Sequence, residues 1–290
     1  MTMFEIIDKE DSVSDFETVI KVIGVGGGGG NAVDHMIRGG IKGVEFVATN
    51  TDAQALKRSV APWKLRLGKS GLGAGAKPEA ARDAAVGEHE RIAEALEGAH
   101  MVFITAGMGG GTGSGAAPVV AEAVAALENP PLIVSVVTSP FTWETKRIKV
   151  ADKVINDLSK FSNCVITVSN AKLQQLAPKG CTMDEAKALA NDVLFKAIAG
   201  LLEILTVEGE INLDFADVEE TLKCKGPALI GVGEATGDDR AQKALRNAIA
   251  CPLMAQNSIK GAKKILVNVV CDSSVLLEEY QDVCTAATAE

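Results

Sequence analysis

Two hydrophobic rhythms alternate along the chain. Runs rich in β-branched residues lie at about 20–25, 44–48, 101–105, 132–138 and 163–169, with a shorter candidate at 63–67. Between them, apolar positions recur at helical spacing over about 31–38, 78–96 and 118–127. Strand–helix alternation predicts an α/β fold, a parallel sheet flanked by helices. The run 132–138 is nearly all apolar, as expected of a strand buried on both faces. A long helix is predicted over 184–206, where Leu189, Val193, Leu194, Ile198, Leu201, Leu202 and Leu205 form a broad apolar stripe. Beyond it, strands are predicted at 228–232 and 264–270, and helices at 239–250 and 276–287. Residues 1–18 are acidic without a sustained period and read as a frayed arm.

Three glycine-rich stretches follow predicted strands. Gly26 to Gly30 follow the first; Gly24, Gly26 and Gly29 fit G-x-G-x-x-G, with Asp52 a loose acidic partner. Gly71-Leu-Gly-Ala-Gly-Ala76 follows the short run at 63–67. Gly107-Met-Gly-Gly-Gly-Thr-Gly-Ser-Gly115 follows 101–105 and precedes a helical pattern. Strand, glycine loop and helix start make an anion cradle, because backbone N–H groups point inward and the helix N-terminus adds its dipole. In a parallel sheet all three cradles converge on the carboxyl ends of the strands. A dinucleotide needs one such loop, so three suit a longer polyphosphate. An NAD-dependent oxidoreductase built on the first loop is the different-class alternative; it leaves Gly107–Gly115 without a role. There is no Walker A loop: Gly68-Lys69-Ser70 imitates its end, but Trp63 stands where the first glycine belongs.

Composition narrows the field. The chain has 290 residues, is 47% hydrophobic and 23% charged, and carries a formal charge of −9. An acidic chain without basic tracts is a poor partner for nucleic acid or an anionic membrane. No run approaches eighteen uninterrupted apolar residues, so direct membrane insertion is not expected. The six cysteines (164, 181, 224, 251, 271 and 284) form no C-x-x-C pair, and with three histidines suggest no zinc site. No leader segment is evident, so reduced, mostly buried thiols in a cytoplasmic protein are expected.

Gly107 to Gly115 resembles the signature loop of the tubulin/FtsZ superfamily. Val25-Gly-Gly-Gly-Gly-Gly-Asn-Ala-Val33, Asn50-Thr-Asp-Ala-Gln-Ala-Leu56, Gly71 to Ala76 and Asn212-Leu-Asp-Phe-Ala-Asp-Val218 resemble its FtsZ branch. The likeness runs from about Val19 to about Tyr280. It implies a nucleotide-binding parallel sheet, a long central helix, and a smaller C-terminal α/β subdomain that is incomplete. The expected divisions are an arm at 1–18, a GTP-binding domain at 19–183, the central helix at 184–206 and a partial C-terminal subdomain at 207–290.

The same resemblance implies a GTP/GDP-binding protein of bacterial cell division. It would self-assemble head to tail, with GTP hydrolysis completed between subunits and Mg2+ accompanying the triphosphate. Carried over residue by residue, the nucleotide contacts are Gly27, Gly28, Gly29, Asn31, Gly73, Ala74, Gly75, Ala76, Gly109, Gly110, Gly111, Thr112 and Gly113. Glu144 and Arg147 would meet the sugar and phosphates, the second only if one residue is deleted after Glu144; a solvated charge cluster is the alternative. Asn170 and Asp192 would read the guanine, since a carboxylate accepts from N1–H and the N2 amine together. Asp214 and Asp217 would position the attacking water in the next subunit's site, with Asn212 orienting it; helix capping is the alternative for Asn212 and Asp214. Asn50 and Asp52 are likewise either caps or phosphate neighbours.

Three departures from the pattern stand out. Ala171 follows Asn170 where the family has an aspartate. Lys187 replaces an aromatic ring that stacks on the base, at a cost of about 1–3 kcal/mol by analogy with base stacking elsewhere. Two further strands and the usual C-terminal adaptor-binding peptide are not seen, leaving an expected open edge. These departures favour the alternative of a divergent paralogue that hydrolyses poorly and co-assembles with a full-length relative.

Overall fold

A computed structural model describes residues 18–176, 180–206, 213–223, 227–251, 262–272 and 274–289. The strand β4 (Met101–Gly107) is its centre, buried at every position but the last because both of its faces are apolar. It pairs with β1 (Ile20–Val25) on one side and β5 (Leu132–Ser139) on the other. Outward from β1 come β2 (Val44–Asn50) and β3 (Trp63–Arg66). Outward from β5 come β6 (Cys164–Ser169) and the two-residue β7 (Pro227–Ala228), giving the order β3-β2-β1-β4-β5-β6-β7. Every pairing in this sheet is parallel.

Register then fixes where the chain leaves the sheet. Val25 lies beside Thr49 and Ala106, so β1, β2 and β4 end on one line. The strand order reverses between β1 and β4, and the crevice at such a switch point is where open α/β sheets place ligands.

Alternate residues of β4 feed two cores. Met101 and Phe103 face α1 (Gly26–Arg38), α8 (Met183–Thr206) and α9 (Phe215–Leu222). Val102 and Ile104 face α4 (His89–Leu96), α5 (Thr112–Ala125) and α6 (Thr145–Leu158). The long helix matches its predicted span within a residue. The remaining helices are α2 (Ala53–Arg58), α3 (Pro78–Val86), α7 (Asn170–Leu176), α10 (Arg240–Ile249) and α11 (Leu277–Ala289).

Several expectations are corrected. The first glycine run is not a turn before a helix at 31; Gly26 to Gly30 are the opening of α1 itself. Glycine is a poor helix former, and packing overrides it here: a Cβ on Gly29 would lie 2.1 Å from the Thr105 carbonyl oxygen. Likewise α5 begins at Thr112, six residues before the predicted start, with Gly113 and Gly115 inside it. The predicted helix 78–96 breaks around Gly87 into α3 and α4. Of the strand predicted at 228–232, only Ala228 pairs, together with Pro227 just before it, and this short β7 joins the main sheet beside β6. The run 264–270 forms no strand despite its β-branched composition. Among the five described cysteines only Cys164 is buried; Cys271 and Cys284 are exposed, against the expectation of mostly buried thiols. The predicted arm lies outside the described residues apart from its last position.

Candidate nucleotide site and the family it belongs to

Helix N-termini converge at the carboxyl edge of the sheet. Gly26 opens α1 with a φ of 75°, and a Cβ there would sit 2.8 Å from the Gly113 nitrogen, so the starts of α1 and α5 touch. Gly111, the N-cap of α5, meets the start of α3: its Cβ would lie 3.1 Å from the Ala76 Cα and 3.2 Å from the Lys77 nitrogen. Gly109, with a φ of 85°, packs against Arg147 in the first turn of α6. Only glycine combines that backbone with that approach. Thr51, just before α2, shares a 2.7 Å hydrogen bond with the Thr112 hydroxyl.

None of the N-cap residues Val25, Lys77, Gly111 and Glu144 places a side-chain cap on α1, α3, α5 or α6. A helix start leaves free N–H groups that need acceptors. Several uncapped starts at one place make an electropositive cradle for an anion with several oxygens. Only α2 in this group is capped: Asp52 accepts from the N–H groups of Gln54 (2.8 Å) and Ala55 (3.2 Å). Asn50 in turn accepts from the Asp52 N–H at 3.1 Å, so both side chains serve the local turn. The loop Gly71–Ala76 is tied to that turn, with the Ala53 N–H donating to the Gly71 carbonyl and the Gly73 N–H to that of Thr51.

A solvent-open stripe runs along α1 from this cradle. Gly27, Gly28 and Asn31 are exposed and His35 is half-buried, at the spacing of one helical face. At about 1.5 Å per residue the stripe from Gly28 to His35 is roughly 10 Å long, the scale of a nucleoside. At its far end Asp192 of α8 lies 3.8 Å from His35 and 3.7 Å from Lys196, which also reaches Glu234 at 3.4 Å. The His35 ring meets Phe195 edge-on at 5.7 Å. Neither His35 nor Lys196 was suggested by the sequence. The only signal was the helical offset of His35 from Asn31.

The other predicted residues divide. Gly27, Gly28, Asn31, Gly73 to Ala76 and Gly109 to Gly113 gather at the cradle and the start of the stripe, whereas Gly29 is buried and faces the Thr105 carbonyl of β4. Glu144 and Arg147 stand at its rim but pair with each other, and Glu144 also accepts from the Phe141 N–H at 3.1 Å. Trp143, half exposed in the same loop, stacks on Phe141 with ring centres 4.5 Å apart. Asn170 opens α7, its Oδ1 buried without a hydrogen-bond partner. Asn212 lies outside the described residues.

Asp214 and Asp217 are elsewhere. Asp214 caps α9, accepting from the Asp217 N–H at 2.8 Å. The next residue, Phe215, packs edge-on against His100 at 6.3 Å. His100 immediately precedes β4, and its Nδ1 accepts from the Val19 N–H just before β1. Asp214 therefore sits by the amino edge of the sheet. The seven residues of β4, at about 3.3 Å each, put it roughly 20 Å from the cradle.

Residues 19–178 match the family model described as the tubulin/FtsZ family, GTPase domain, and residues 226–290 match that of the FtsZ family, C-terminal domain. The chain belongs to the tubulin/FtsZ family. It is 48% identical over 285 residues to the cell division protein FtsZ of Pseudomonas aeruginosa, covering 97% of this chain and 71% of that one. The FtsZ of Coxiella burnetii is 47% identical over 274 residues, covering 93% and 70%. Among solved structures, an empty FtsZ dimer from M. jannaschii superposes with a TM-score of 0.84 at 34% identity, over 98% of this chain and 84% of the other. The match to the GTPase-domain model and to FtsZ relatives makes the chain a tubulin-like GTPase, and the oxidoreductase reading is set aside. No described helix is long and apolar enough to cross a membrane.

Proposed function

We propose that the chain binds GTP with its phosphates on the helix starts at Gly26, Gly111 and Lys77 and its base toward Asp192, and that subunits stack head to tail. Hydrolysis is completed when Asn212, Asp214 and Asp217 of one subunit enter the cradle of the next. The observation that carries this reading is the separation of Asp214 from the cradle across the length of β4. A residue roughly 20 Å away cannot align a water on its own subunit's phosphate, but it can serve a neighbour's. A heterologous contact of that kind propagates into a filament. The relatives are named as cell division proteins, and the same role is proposed here. Residues 19–183 serve as the nucleotide domain, 184–206 as its link to the activating region, and 207–290 as that region.

Mg2+ fits as a companion of the triphosphate. The chain's nearby donors are the Thr51 and Thr112 hydroxyls and the Asp52 carboxylate. No group of three or more His, Cys, Asp or Glu that could hold a metal gathers among the described residues, so phosphate oxygens would supply much of its coordination. The ion would neutralise charge on the phosphates.

The test follows phosphate release from GTP beside right-angle light scattering over a range of protein concentrations. Both signals should rise above one threshold concentration. Release proportional to protein concentration throughout would mean that one subunit suffices and would refute the split site. GTP binding without either signal would favour a divergent member that needs a full-length relative for assembly.

A further inference from the structure

Two of the cations around the phosphate cradle differ in their partners. Arg147 beside Gly109 is held by Glu144. Lys77 beside Gly111 is exposed, and no carboxylate among the described residues pairs with it. Its backbone is fixed: the Lys77 N–H donates to the Ala74 carbonyl at 3.0 Å, and Pro78 begins α3 immediately after it. Its side chain has no capping task.

Lys77 also lies at a defined end of the site. The base direction leads from Gly26 along α1 to Asp192. The opposite direction leads from Gly26 through Thr112 and Gly111 to Ala76 and Lys77. A ligand with its base at Asp192 brings its last phosphate closest to Lys77. Backbone N–H groups serve any phosphate in reach, whereas a flexible ammonium adds a point charge where the terminal group stands. The chain has no Walker A lysine to do this. Lys69 stands eight residues earlier, where Gly68 packs on Ala84 of α3 rather than on Gly111, and it serves as the control.

We infer that Lys77 is the residue by which this chain distinguishes guanosine triphosphate from diphosphate. The inference rests on the proposed direction of the nucleotide. In that arrangement the Lys77 ammonium pairs with the terminal phosphate of GTP and finds no partner at that position with GDP. The open or paired state of one side chain then reports which nucleotide is bound, at the face where the next subunit's Asp214 would arrive.

The experiment is calorimetric titration of GTPγS and of GDP, with Mg2+ and below the assembly threshold, into the full chain and its Lys77→Met, Lys77→Arg and Lys69→Met variants. Lys77→Met should weaken GTPγS about tenfold, the scale of an interaction with a charged group, and leave GDP within about twofold. Lys77→Arg and Lys69→Met should keep the preference of the parent chain. An unchanged GTPγS-to-GDP ratio in Lys77→Met, or equal weakening of both nucleotides, would overturn the inference. If the parent chain binds neither nucleotide, the site reading itself fails, and the inference with it. Because the exposed Lys77 side chain neither caps α3 nor pairs with a described carboxylate, a lost melting transition is not expected in any variant.

Discussion

Two glycines of α1, two residues apart, separate the demands of the fold from those of the ligand. A Cβ on Gly29 would stand 2.1 Å from the Thr105 carbonyl oxygen and 3.0 Å from the Gly24 carbonyl carbon, both rigid backbone atoms at the centre of the sheet. Relief would need α1 to move off β1 and β4. Overpacking of a tight core costs about 1–3 kcal/mol, and contact with immovable backbone belongs at the upper end or above. A change of about 3 kcal/mol corresponds to roughly 6–12 °C in melting temperature for a domain near this size. Gly27, by contrast, lies in a helix with nothing within 4 Å of the place a Cβ would occupy. Alanine there should stabilise the unliganded protein by about 0.5–1 kcal/mol, because glycine loses more backbone entropy on helix formation. That open space is the path proposed for the phosphates. Gly27→Ala should therefore melt at or slightly above the parent temperature yet lose most of its GTP affinity, while Gly29→Ala should melt well below it. Melting by circular dichroism, with and without GTP, reads both. Parent-like GTP binding by Gly27→Ala would refute the cradle, and parent-like melting of Gly29→Ala would refute the packing argument.

Three further outcomes are expected. Asp192→Asn should reduce the preference for GTP over ATP, read by competition against a fluorescent guanine nucleotide, by roughly tenfold for a charge-assisted pair of hydrogen bonds; an unchanged preference would place base selection elsewhere. Arg240 holds Glu279 well below the usual carboxylate range, at about 2, joining α10 to α11. A depressed folded value stabilises above the unfolded value and is lost as pH falls through the folded one. Protection of α11 against hydrogen exchange should thus hold from neutral pH to about pH 4.5 and decline toward pH 2, and Glu279→Gln should lower it already at neutral pH. Burial pushes the Cys164 thiol up to about 12, so it should resist alkylation at pH 8 while exposed Cys271 and Cys284 react; mass spectrometry of labelled peptides reads the difference.

Much of this architecture was legible in the sequence, for identifiable reasons. The strands β1, β2, β4, β5 and β6 are apolar on one or both faces, so their pattern has no competing interpretation, and the long stripe of α8 behaves likewise. The glycine runs misled on helix boundaries. Propensity scores Gly26–Gly30 as a loop, and only the approach of α1 to Thr105 makes a helix of glycines the better solution. The 264–270 run misled in the other direction. Its residues suit a strand, but a strand needs a partner, and no pairing forms there in the described chain.

For the site, the cradle loops were visible as punctuation after strands. The pairing of Thr51 with Thr112, and the approach of His35 and Lys196 to Asp192, join elements distant in sequence and leave no local signature. The capping task of Asp214 was visible as an alternative to catalysis, and it explains why asparagine rather than alanine is the informative replacement: it keeps the acceptor for the Asp217 N–H while removing the charge.

The central claim is that one active site is made by two subunits, and mixing two damaged chains tests it most directly. Gly27→Ala retains the Asp214 loop but should lack the nucleotide; Asp214→Asn retains the nucleotide but should lack the charge. Each alone should release phosphate from GTP slowly. Combined in equal amounts, random stacking joins an intact cradle to an intact loop at about a quarter of the contacts, and release should recover to about that fraction of the parent rate. A mixture no faster than the sum of its parts, or parent-like release by Asp214→Asn alone, would contradict the account.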